Sequence, residues 1–121
     1  MAVDIILYLR KQIRPQEGWL PFFLEALDHQ LTETAPNEAD FLTMKPSDYF
    51  RRQVWGCFWF ERDAVVHAVE ALGADRILFE TDYPHPTCLY PDPLGSITGL
   101  TDRLGPEATR KILQDNAAHV Y

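Results

Sequence analysis

Two short apolar runs constrain this chain more than anything else in it. Gln53-Val54-Trp55-Gly56-Cys57-Phe58-Trp59-Phe60 carries no charge, and Arg76-Ile77-Leu78-Phe79 leads into Glu80-Thr81-Asp82. A strand with one wet face alternates apolar and polar residues; an unbroken apolar run fits a strand buried on both faces. Between the runs, Val65, Val66, Val69 and Leu72 share one face of a helix over Asp63–Leu72, and Gly73 stops it. Strand, helix and strand in that order predict parallel strands joined by a crossover, hence an α/β fold. Gly56 inside the first strand allows a bend or a close approach.

The flanking sequence continues the pattern. Trp19–Leu31 reads as a helix, with Pro21 in its first turn and Phe23, Leu24, Leu27 and Leu31 on one face. Residues 32–45 lack a period and read as a loop. Residues 45–52 read as one or two helical turns, with Ser47 as a cap and Arg51 and Arg52 at the negative end. Pro84, Pro86, Pro91 and Pro93 stiffen a loop over 84–96, and Gly105-Pro106-Glu107 opens a closing helix that runs to about His119. Ile112, Leu113, Ala117 and Val120 form its buried stripe. Residues 2–12 are a short apolar run that fits a strand or a helix equally well.

Composition removes several classes of function. At 121 residues the chain is one domain, 1–121. Eleven Lys and Arg against eighteen Asp and Glu leave a net charge of −7, which repels a phosphate backbone, so no nucleic-acid partner is expected. The longest apolar stretch, Ile5–Leu9, is far shorter than the roughly 20 residues of a membrane span, and no membrane partner is expected either. An acid at position 4 argues against an export signal. Cys57 and Cys88 sit in no CxxC and read as reduced thiols of a cytoplasmic protein.

In parallel α/β folds chemistry gathers at the carboxyl ends of the strands, here just after Phe60 and just after Phe79. The second place is the richer. Glu80, Thr81, Asp82, Tyr83 and His85 fall within six residues, with Glu80 and Asp82 on one face if the strand alternates. A carboxylate there can hold a divalent metal or accept a proton from a metal-bound water, and His85 can reach the same space. A solvated strand end with a proline-stiffened turn fits the same residues. His29 and His67 read as structural or surface residues, His119 as a helix-end cation, Cys57 as a small buried hydrophobe, and the aromatics of 54–60 as packing. GxGxxG, GxxxxGK and GxSxG are absent.

Gly18-Trp19-Leu20-Pro21-Phe22, Leu27-Asp28-His29, Lys45–Val54, Leu72–Phe79, Thr81-Asp82-Tyr83-Pro84-His85 and Lys111–Ala118 together resemble the C-terminal part of the amidohydrolase-2 family. This family contains metal-dependent hydrolases and decarboxylases related to aminocarboxymuconate semialdehyde decarboxylase. The resemblance covers residues 18–121, with 1–17 a divergent start. It implies about three β/α units from the end of a TIM (β/α)8 barrel, a small organic substrate and a divalent metal, most often zinc. It also implies Asp82 as metal ligand and catalytic proton acceptor, and His85 as a catalytic-site residue beside the substrate or supporting the metal. The family's HxH pair and its middle-strand histidine have no counterpart here, so the chain is expected to be incomplete as a catalyst alone. Three uncovered parallel strands predict self-association, or a partner that supplies the missing strands. A non-catalytic remnant that docks through this sheet is the main rival; an unrelated small α/β binding domain is the other.

Overall fold

The computed structural model describes residues 19–34, 36 and 41–121; the apolar run 2–12 and the start 1–17 lie outside them. Helix α1 (Leu20–His29) continues into a π-helical turn at Gln30–Thr34, where the Thr32 hydroxyl donates to the Asp28 carbonyl (2.9 Å). The helical path therefore runs three residues into the segment predicted as loop.

Helix α2 (Pro46–Gln53) forms where predicted, but Ser47 is not its cap. The cap position is Lys45, whose side chain makes no capping bond. Ser47 is instead one residue inside, with its N–H (3.0 Å) and its hydroxyl (2.6 Å) both donating to the Asp28 carboxylate. An acid on α1 thus satisfies a first-turn N–H of α2 and sits at its positive end.

Strands β1 (Gly56–Phe58) and β2 (Ile77–Phe79) pair in parallel, with Gly56, Cys57 and Phe58 opposite Ile77, Leu78 and Phe79. Helix α3 (Asp63–Leu72) is the crossover, and Gly73 ends it at φ 82°. Both strands are shorter than the apolar runs that predict them. At the first, Gln53 belongs to α2, and the Trp59 N–H turns aside to the Glu61 carboxylate (3.1 Å). At the second, the Glu80 N–H reaches the Phe58 carbonyl (2.9 Å), and the backbone then turns left-handed at Asp82 (φ 57°).

Within the predicted loop, Pro93–Ser96 forms one short helix, α4, with the Asp92 carboxylate accepting from the Gly95 N–H (2.9 Å). Helix α5 (Leu100–Arg110) breaks at Gly105 (φ 77°, ψ 165°) and restarts at Pro106, as predicted. It passes through a π turn at Lys111–Asp115 into α6 (Asn116–Val120).

Phe58, Val65, Val66, Ala68, Ile77, Ile97, Leu100 and Ile112 form the main core between the sheet, α3 and the closing helix. Burying a side chain such as Phe58 or Ile77 contributes roughly 1.5–3 kcal/mol. Leu20, Leu24 and Phe50 form a second cluster that packs α1 on α2. No helix among the described residues is long and apolar enough to cross a membrane. Cys57 and Cys88 are not joined in a disulfide.

Candidate active site at the carboxyl ends of the strands

The parallel register makes the two strands end side by side. Trp59, Phe60 and Glu61 follow β1, while Glu80, Thr81 and Asp82 follow β2. At the opposite end, Gly56, Arg76 and Asn116 donate to backbone carbonyls around the strand entries. The Gly56 N–H donates to the Arg76 carbonyl (2.9 Å). The Arg76 guanidinium donates to the carbonyls of Arg51 (2.6 Å) and Arg52 (2.7 Å), capping the end of α2, and lies 4.6 Å from the centre of the Trp55 ring. Asn116, buried, donates to the carbonyls of Ala74 (2.7 Å) and Ile77 (2.8 Å).

The carboxyl ends are built differently. Glu61 is only 8% exposed. Its Oε2 accepts the Trp59 N–H, but its Oε1 and the Trp59 Nε1 are buried with no partner among the described residues. Glu80 is half-buried, and its carboxyl is pushed above the usual range by burial first, then by Asp82, then by Glu61. Three carboxylates therefore share one electrostatic environment. Asp82 leaves the strand in the left-handed region, which Asp tolerates better than most residues. Strand pairing ends before Glu80 and Asp82, so the alternation expected to put both on one face does not reach them; the Asp82 charge nonetheless acts on Glu80.

Asp82 and His85 come together. The His85 N–H donates to the Asp82 carbonyl (2.9 Å), closing a turn, and the His85 Nδ1 lies 3.3 Å from the Asp82 Oδ2. The Thr87 hydroxyl donates to the same Oδ2 (3.3 Å) and lies 3.0 Å from the His85 Nδ1. No side chain of the described residues bonds the Asp82 Oδ1. The Leu89 N–H returns to the Thr81 carbonyl (3.0 Å), and the exposed rings of Tyr83 and Tyr90 stand 5.9 Å apart over this loop.

The remaining histidines stay away from this cluster. His29 is exposed on α1, His67 faces Glu70 on α3 (3.3 Å), and His119 lies 6.0 Å from Trp55 at the other end of the sheet. Of the aromatic run, Phe58 is core and Phe60 is exposed. Two residues of the site escape sequence reasoning. Glu61 is the first acid after β1, where the strand-end rule points, but nothing in the sequence says it is buried. Thr87 joins only because the loop folds back.

A family description settles what this arrangement belongs to: the sequence profile of the amidohydrolase family matches residues 18–121. The chain is an amidohydrolase-family member. Among solved structures it is similar to an amidohydrolase from Mycobacterium avium subsp. paratuberculosis, with 27% identity, a TM-score of 0.57, and coverage of 82% of this chain and 25% of that one. It is also similar to 5-carboxyvanillate decarboxylase from Sphingomonas paucimobilis (23% identity, TM-score 0.59, 85% and 30% covered). A third is the apo form of Metarhizium anisopliae IDCase (20%, TM-score 0.61, 85% and 31%). No curated protein matches the sequence. The chain spans between a quarter and a third of the length of these structures, and its fold is accordingly part of the TIM (β/α)8 barrel of amidohydrolases.

The amidohydrolase resemblance implies a metal, and the donors can be tested against it. No group of three or more His, Cys, Asp or Glu among the described residues is placed to hold an ion. A catalytic zinc takes three protein ligands and an open position. Asp82 supplies one carboxylate, so these residues do not by themselves make a metal centre.

Proposed function

We propose that this chain carries the closing portion of the active site of a metal-dependent hydrolase or decarboxylase acting on a small organic substrate. In this reading Asp82 contributes one ligand to a divalent metal, zinc foremost, whose other donors lie outside the described residues. Asp82 also accepts the proton released at the site, and His85 stands beside the substrate. One observation carries the reading: a half-buried carboxylate, fixed in a left-handed turn, stands at the carboxyl end of a parallel strand with an oxygen that no described side chain bonds. Hydrolysis and decarboxylation both fit, since one neighbour is an amidohydrolase and another a decarboxylase. Cys57 and Cys88, not joined in a disulfide, suit a reducing, cytoplasmic setting.

The test is zinc content and turnover of the protein at the length the cell makes it, with and without Asp82→Asn. Asp82→Asn is expected to lower zinc content and to cost more than the roughly 10- to 100-fold that follows loss of a ligand's supporting partner. Equal zinc and equal turnover in both proteins would refute the role of Asp82.

A second reading rests on the sheet. Among the described residues it has two strands, and each leaves one edge unpaired. Phe22, Phe41, Phe60, Tyr83 and Tyr90 are exposed besides. Such a surface favours self-association, or docking to a partner that adds strands. A dimer or larger species by light scattering is the expected result; a compact monomer at high concentration counts against it.

A further inference from the structure

We infer that Thr87 is a positioning residue that holds His85 in the Nδ1–H tautomer, so that Nε2 faces outward as a hydrogen-bond acceptor. The inference deepens the proposed site, and it depends on that reading only for the use to which Nε2 is put.

Three side-chain atoms and their protons form a closed triangle. The Asp82 Oδ2, the His85 Nδ1 and the Thr87 Oγ1 lie 3.3, 3.3 and 3.0 Å from one another. An ionised carboxylate only accepts, a hydroxyl has one proton to give, and a neutral imidazole carries its proton on one nitrogen. Suppose the proton sits on Nε2. The Nδ1 lone pair then faces the carboxylate oxygen, and the single Thr87 proton must serve two acceptors. With the proton on Nδ1 both hydrogen-bonded sides of the triangle pair a donor with an acceptor, and the ring N–H side, not its lone pair, lies near the carboxylate. Nδ1–H donates to Oγ1, the Thr87 O–H donates to Oδ2, and the third side, Nδ1 to Oδ2, is a charge contact rather than a hydrogen bond. The backbone bond from the His85 N–H to the Asp82 carbonyl keeps the ring over this carboxylate.

Two consequences follow for the site. Oδ2 is committed within the triangle, which leaves Oδ1 as the Asp82 oxygen that no described side chain bonds, for a cation or a water. The outward Nε2 recognises a ligand group that donates, such as a hydroxyl, an amine or a water, and disfavours a carbonyl or carboxylate oxygen at the same spot.

The experiment is a long-range nitrogen–proton NMR spectrum of the 15N-labelled chain near pH 8, above the ordinary imidazole range of about 6.5. His29, exposed on α1, serves as the internal reference for an imidazole in water. In the parent protein His85 is expected to show the Nδ1–H signature. Thr87→Ser is expected to preserve it, and Thr87→Val to move the population at least several-fold towards Nε2–H. Thr87 is exposed, so the variants disturb no core. An Nε2–H signature in the parent protein, or an unchanged one in Thr87→Val, overturns the inference. The readout needs neither metal nor turnover, so its failure is distinguishable from failure of the proposed function.

Discussion

Both ends of the β1–β2 sheet carry polar side chains, and the two sets are put to opposite uses. At the strand entries, Arg76 and Asn116 donate to four backbone carbonyls, and the last turn of α2 is met by a cation. At the strand exits, Glu61 keeps a buried oxygen without a partner among the described residues, Glu80 is crowded by two other acids, and Asp82 adopts a backbone conformation that most side chains avoid. In (β/α)8 barrels the exits carry the chemistry, and the entries carry stability. The difference teaches that polar residues alone do not mark a site. Unspent hydrogen-bonding capacity does, because a fold has no stability reason to bury it.

Stability measurements on paired substitutions test this contrast. The largest expected effect is at the entries. Asn116→Ala takes the side-chain donor from the Ile77 carbonyl, leaves the Ala74 carbonyl only the Ile77 N–H (3.4 Å), and opens a small void, and should cost about 3 kcal/mol in urea unfolding. Arg76→Met keeps much of the contact with Trp55 but loses both carbonyl bonds, for about 1–2 kcal/mol at a partly exposed site. At the exits, Glu61→Gln removes a buried carboxylate near Glu80 and should leave stability unchanged or raise it by about 1 kcal/mol. A loss at Glu61→Gln as large as that at Asn116→Ala would erase the contrast.

The smallest effect depends on pH. The folded-state pKa of Glu80 lies above its unfolded value, so the folded protein binds more protons across that window, and stability falls as pH rises through it. Glu80→Gln should therefore stabilise at pH 7, by less than about 1 kcal/mol because the half-exposed group is screened. The gain should fade as pH is lowered through the carboxylate range. A gain that grows on acidification would reverse the assigned sign.

Much of this molecule is legible in its residues, for reasons that differ by element. Helix α3 and its stop come directly from the spacing of Val65, Val66, Val69 and Leu72 and from Gly73, because each is a local property. Pro106 marks a helix start for the same reason. The strands are legible in existence and order but not in length. The apolar run 53–60 cannot show that a carboxylate at position 61 will take the Trp59 N–H out of the ladder. Ser47 looks like a cap by residue type, yet its partner lies nineteen residues upstream, and no local pattern encodes that distance. Asp82 and His85 are readable as a pair only with the surrounding motif. Thr87 and Glu61 become visible once the loop and the strand ends are in three dimensions.

The carboxylate that Asp28 lends to α2 bears on where this repeating unit can be cut. A transplant beginning at Lys45 would carry the helix and its strand but leave the anion behind. Severing the chain between the two helices would likewise let that anchor drift away. The smallest portable module of this barrel therefore starts before Leu20, and any chimera or permuted variant should place its junction upstream of Trp19.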